Sequence, residues 1–174
     1  MLSVGALITT FALQGATAAD IVGRSVDLLG RANSVVGVYT DSSKLGIATA
    51  DFHLKKGTKL ALIGTSVSEL CNGNDRYTVD KKKKTYTLKD TRIFGIPYIV
   101  GMEAFTMNGK DTIAKTMSLE DVQMSQFDGK SVASYRVNGS TVFVDAQTAL
   151  PVGASYGEGN NKHTYRFKNL RIDA

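Results

Sequence analysis

Six strand-length segments follow one another between residues 35 and 90: VVGVYTD, LGIATADFHL, TKLALIGT, SVSELCNG, DRYTVD and KTYTLKD. Valine, threonine, tyrosine, leucine and isoleucine recur inside them, and Gly, Asn, Asp, Ser or Lys clusters bound them, which is the pattern of strands separated by turns. Parallel neighbours need crossover connections of about a dozen residues or more. The connections here are far shorter, so the segments form an antiparallel meander. In ADFHLKKG the alternation sends Ala50, Phe52 and Leu54 to one face and Asp51, His53 and Lys55 to the other, giving the sheet a dry side and a wet side.

Strands resume late in the chain as LEDVQMSQF, FDGKSVASYRV, STVFVDAQTALPVGAS and HTYRFKNLRIDA. Turn signals at DGK, VNGS and GEGNN separate them, for about ten strands in all. Two other segments break the pattern. ADIVGRSVDLLGRANSV places Ile21, Val22, Val26, Leu28 and Leu29 near helical spacing, with Arg24, Asp27 and Arg31 mostly opposite, an amphipathic helix. TRIFGIPYIVGMEAFTMNGK is strongly apolar, and Pro97 suits the first turn of a helix running through Ile99, Val100, Met102, Glu103, Phe105 and Thr106. Such a helix inserted between strand runs has to cover something, and the dry face of the sheet is the simplest partner. At 174 residues, 43% of them apolar, the chain holds one domain with its own core.

Residues 1–19, MLSVGALITTFALQGATAA, carry no charge, have an apolar centre from Val4 to Leu13, and end on small residues. They read as a secretory signal peptide lacking a basic start, cut after Ala18 or Ala19 so that residues 20–174 form the mature domain, with an uncleaved anchor as the alternative; either way the protein is expected to be periplasmic or secreted. A lone cysteine, Cys71, allows no internal disulfide and reads as a small buried hydrophobe. The formal charge is +5, and most of it is the run Lys81–Lys84. That run lies between two strands and opens with Asp80, a residue whose side chain favours turns; lysines there also discourage edge pairing. It reads as a solvated hairpin end, with weak attraction to anionic headgroups as the alternative. Nucleic acid would require basic residues spread over a face with aromatic platforms, so no nucleic-acid partner is expected.

His53 falls on the wet face and His163 in a turn-rich segment, and neither belongs to a metal-ligand spacing, a nucleophile elbow or a phosphate loop. No catalytic residue, metal or cofactor is assigned, and the chain is not expected to be an enzyme.

Three segments, ADFHLKKGTKLAL, CNGNDRYTVDKKKKTYTL and VFVDAQTALPVGASY…HTYRFKNLRI, resemble the LolA-like outer-membrane lipoprotein carriers. They correspond to that family's aromatic strand ending in a basic pair, its Asn/Asp-Gly hairpin, and its late Pro-containing turn with the strand after it. The resemblance covers residues 45 to 173. It implies a mainly β, α+β fold: a half-open antiparallel barrel with an N-terminal helix and a mid-chain helical lid on the concave face. It also implies a cavity for acyl chains of lipoproteins or other lipids, loading and unloading partners in the inner and outer membranes, and a monomer.

The lining expected for that cavity is Phe52, Leu54, Leu60, Leu62 and Leu70 from the strands, with Phe94, Ile96, Ile99, Met102 and Phe105 from the lid. Lys56 stands where some carriers have an arginine that latches the lid, and a lysine lacks the planar fork of donors. The alternative use of the same fold is a periplasmic sensor or scaffold that recognises another envelope protein.

Overall fold

The computed structural model describes residues 16–43, 46–56, 59–91, 99–106 and 120–173. Among them, eleven strands pair into one open sheet: β1 (Ser34–Ser43), β2 (Gly46–Lys55), β3 (Lys59–Gly64), β4 (Val67–Asn72), β5 (Asp75–Asp80), β6 (Thr85–Asp90), β7 (Glu120–Phe127), β8 (Lys130–Val137), β9 (Ser140–Asp145), β10 (Pro151–Tyr156) and β11 (His163–Ile172). Their order is β6-β5-β4-β3-β2-β1-β11-β10-β9-β8-β7. The chain steps outward from β1 to one edge at β6, resumes at the opposite edge with β7, and steps back until β11 lies antiparallel to β1. This is the half-open antiparallel architecture expected from the sequence.

The first six segments became β1 to β6 nearly residue for residue. One expected strand proved to be two, because STVFVDAQTALPVGAS folds back on itself as β9 and β10. A single side chain builds that turn: Asp145 Oδ1 accepts from the backbone of Gln147 and Thr148 and from Thr148 Oγ1 at 3.0, 2.8 and 2.9 Å. These bonds, led by the one from the Thr148 backbone, hold the Asp145 carboxyl below the usual aspartate range. The β7–β8 and β8–β9 hairpins turn on Asp128-Gly129 and Asn138-Gly139, all four at positive φ, as two-residue connections between right-twisted strands demand.

Helix α1 (Ala18–Arg31) starts from a capping box, with the Thr17 hydroxyl accepting from Asp20 N and Asp20 accepting from Thr17 N. It buries Ile21, Val22, Ser25, Val26 and Leu29, whereas Leu28 sits off that stripe and is exposed. Of the expected leader, residues 1–15 lie outside the described residues, while Ala18 and Ala19 belong to the first turn of α1. The helix is also tied to two loops: Arg24 donates to the Ala146 carbonyl, and the Gly30 carbonyl accepts from Lys56 Nζ, at 3.1 and 3.0 Å.

The mid-chain segment appears as Ile99–Thr106. It is a turn followed by one helical turn, α2 (Glu103–Thr106), rather than the continuous helix expected, with Met102 N donating to Ile99 O and Phe105 N to Met102 O. Gly101 explains the break. Its φ is +93°, and a Cβ there would stand 2.9 Å from the Phe167 ring and 3.1 Å from Ala154, so close seating of the segment on β10 and β11 requires glycine. Phe94, Ile96 and Pro97, expected in the same cover, lie outside the described residues.

Candidate functional site

The face of the sheet that carries α1 and residues 99–106 is called inner here. On the body of the sheet its described side chains are buried together in one cluster. Phe52 and Met102 are fully buried, as are Val35, Val142 and Val144, and the Phe52 and Phe167 rings meet edge to face at 6.2 Å. Leu54, Leu60, Ile99 and Phe105 join the same cluster, with Leu62 partly buried at its margin. Burying side chains of this size contributes about 1.5–3 kcal/mol each, so this part of the expected lining is the core that holds the domain together.

Among the described residues the helical cover ends past Leu62 and the inner face opens. Tyr39, Ala48, Ala50, Leu62, Val67 and Glu69 line a hollow of about 520 Å³ there. Cross-strand register explains the grouping: Tyr39 faces Ala50, Ala50 faces Gly64, and Leu62 faces Glu69. Small side chains on β2 and a glycine on β3 leave the space. Burial pushes the Tyr39 phenol above its usual range, aided by the nearby carboxylates of Asp41 and Glu69. Glu69 is held by Arg76, whose Nη2 lies 3.0 and 3.1 Å from its two carboxylate oxygens, so the rim of the hollow is polar and its floor apolar.

The expected lining set therefore divides. Of its described members, Leu54, Leu60, Ile99, Met102, Phe105 and Phe52 come together in the core, and Leu62 reaches the hollow. Leu70 is a correction. It pairs with Ala61 and Tyr77 rather than with the row of Leu60 and Leu62, so it projects to the outer face, where it is exposed. Lys56, expected at a lid latch, is instead engaged at the last turn of α1, a favourable place for a cation at a helix C-terminus. Tyr39, Ala48, Ala50, Val67 and Glu69 went unremarked as lining in the sequence; the signal available was the run of small residues in GIATA opposite a tyrosine, legible only once the β1–β2 register is known.

The outer face differs along its length. Over the body, Phe127 and Phe143 stack at 4.4 Å, and Arg166 closes over Phe127 while donating to both oxygens of Asp128 at 2.7 and 2.9 Å. Gly153 lies beneath, and any Cβ there would collide with the Phe127 ring. Over β3 to β6 nothing among the described residues covers the outer face: Ile63, Leu70, Tyr86 and Leu88 are all exposed, Tyr86 by 70%. A trough of about 560 Å³ crosses this side, with Val36, His53, Ala61, Leu70 and Tyr77 in its lining.

His53 is exposed, as its alternation implied. His163 Nδ1 lies 3.0 and 3.1 Å from the two carboxylate oxygens of Asp41, and its ring stacks on Tyr165. Cys71 is buried. Among the described residues no group of three or more His, Cys, Asp or Glu side chains is placed to hold a metal, and no helix is long and apolar enough to cross a membrane.

No protein-family model matches the sequence, and no curated protein matches it. Solved structures do. An uncharacterized conserved protein from Thermus thermophilus is similar over 89% of this chain and 87% of that one, with a TM-score of 0.55 at 6% identity. A putative outer membrane lipoprotein-sorting protein domain from Vibrio parahaemolyticus matches over 91% and 92% of the two chains, at 10% identity and a TM-score of 0.42. LprF from Mycobacterium bovis matches over 88% and 92%, at 12% identity and a TM-score of 0.44. The likeness at these identities is one of fold, and the Thermus protein carries it.

Proposed function

We propose that the protein is a non-catalytic carrier that shelters acyl chains, of lipoproteins or of free lipids, in the inner-face hollow and passes them on outside the cytoplasm. The observation that carries this reading is the hollow itself: an apolar floor of Ala48, Ala50, Leu62 and Val67 beside a polar rim, beyond the helical cover of the described residues. Its volume falls within the range of about 300–1,000 Å³ typical of small-ligand sites. Transfer of hydrocarbon out of water is favourable by about 0.8 kcal/mol per methylene, so such a floor binds chains by burial alone and leaves the rim to meet a headgroup. The half-open sheet, the three family-like segments and the apolar leader all support the same reading.

Native mass spectrometry of the protein purified from cells tests it, together with uptake of a fluorescent fatty acid. A carrier retains lipid and takes up the probe, and Ala48→Trp or Val67→Asp, both at accessible positions, lower uptake at least fivefold while the sheet signal in circular dichroism persists. Lipid-free protein with no uptake points to a scaffold of the same fold and overturns the carrier.

A further inference from the structure

The strands beyond β3 reverse the sense of the sheet. On β5 and β6 the side chains facing the inner side are Arg76, Thr78, Thr87 and Lys89, while Tyr77, Val79, Tyr86 and Leu88 face outward. This follows from the register, in which Tyr77 pairs with Leu88 and Val79 with Tyr86 on one face, and Arg76 with Lys89 and Thr78 with Thr87 on the other. Leu70 and Ile63 continue the outward field across β4 and β3, and the Tyr77 and Tyr86 rings lie 6.4 Å apart. An exposed apolar field on an ordinary monomer marks a contact surface.

Cations around the field outnumber its acids, Asp51, Asp75 and Asp90, which the register places on the same outer face. At the hairpin end, Asp80 Oδ1 accepts from Lys82 N and Lys83 N at 3.0 Å, and Lys84 turns the chain at φ +54°. Lys81 Nζ donates to the Gly64 carbonyl, which fixes the tip against the β3–β4 turn. Lys82, Lys83 and Lys84 remain exposed beside Tyr86. On the same outer face the neighbouring strands present Lys55, Lys59, Lys168 and Arg171, all exposed, since Lys55 pairs with Lys59, and Val38 and Val36 pair with Lys168 and Arg171.

We propose that the outer face of β4 to β6 docks on an anionic lipid bilayer, with Ile63, Leu70, Tyr86 and Leu88 at the headgroup boundary and Lys82, Lys83 and Lys84 on the phosphates. The charge complementarity selects this occupant. Tyrosine seats its ring among headgroups while lysine stems lie over the apolar surface and lift their charge to the phosphates, and each lysine close to an anionic surface strengthens binding about fivefold. The inner hollow, lined by β1 to β4, lies on the opposite face of the sheet, so docking leaves it unobstructed.

Flotation of the full chain with vesicles of phosphatidylcholine and phosphatidylglycerol in about a 3:1 ratio, against vesicles of phosphatidylcholine alone, tests the proposal at low and high salt. The expected result is binding at least tenfold stronger to the anionic vesicles and weakened by salt. A Lys82→Glu, Lys83→Glu, Lys84→Glu triple variant and a Tyr86→Ser, Leu88→Ser double variant each lose at least tenfold while remaining folded. Lys162→Glu, at the far turn before β11, leaves vesicle binding unchanged; Ala48→Trp, which lowers probe uptake in the hollow, keeps vesicle binding, and that split separates docking from cargo uptake. Equal binding to neutral vesicles, full binding by either multiple variant, or a stable dimer with no vesicle binding overturns it.

Discussion

The body of the sheet and its β4–β6 wing are made of the same kind of strand, yet they turn their apolar series to opposite faces. On β2 the series Ala50, Phe52, Leu54 points inward, to the side of α1 and Met102; on β5 and β6 the series Tyr77, Val79, Tyr86, Leu88 points outward to solvent. The change of sense happens on β3 and β4, where Leu60 and Cys71 are buried inward while Ile63 and Leu70 are exposed outward. Alternation gives a strand two unlike faces, but pairing register decides which of them is the core. In one continuous sheet the hydrophobic pattern thus serves stability at one end and surface chemistry at the other.

That contrast is broken most severely by core truncation. Phe52→Ala, at a fully buried position, is expected to destabilise the domain by about 3–5 kcal/mol, whereas Leu88→Ala at an exposed position stays within about 0.5 kcal/mol; urea unfolding of the two proteins measures the gap, and equal effects would erase the distinction. Next is Gly101→Ala, which places a side chain at φ +93° against Phe167 and is expected to lose about 1–3 kcal/mol, read as a lower thermal midpoint. In the full chain with its leader retained, Thr17→Ala removes the capping hydroxyl of α1 and is expected to lose about 1 kcal/mol. The smallest effect is acid sensitivity. Asp145 and Asp128 titrate below 3.8 in the folded protein, Asp145 through its backbone bond to Thr148 and Asp128 through Arg166. Their contribution is complete above the unfolded value and drains away as pH falls from about 4 toward their folded values. Asp145→Asn should flatten the stability profile in that window, and an unchanged profile would remove Asp145 from the account.

Much of this fold was legible in the sequence because turn chemistry is local. Asp128-Gly129, Asn138-Gly139 and Asp80 announced their hairpins, and β1 to β6 followed. The β9–β10 turn was visible in the family resemblance but not in the strand alternation, because AQTAL holds no glycine before Pro151; Ala149 adopts φ +57° in a turn whose side-chain hydrogen bonds come from Asp145 and Thr148. The site was less legible for a different reason. Hydrophobicity identified Phe52, Leu54 and Leu60 as inward residues, yet a binding hollow is a place where volume is missing, and Ala48, Ala50 and Gly64 advertise absence only when the neighbouring strands are in register. Leu70 was misplaced by one residue of parity, which in a sheet is the whole distance from one side to the other.

The ladder between β1 and β11 has a kinetic consequence. It joins Val35 to Ile172, and Asp173 finishes it by accepting from the backbone of Asn33 and Ser34. Loop closure over so long a separation is slow compared with hairpin formation, and a ribosome emits β11 after all the other strands. The two hairpin stacks, β1 to β6 and β7 to β10, therefore have no strand to join them until β11 has emerged.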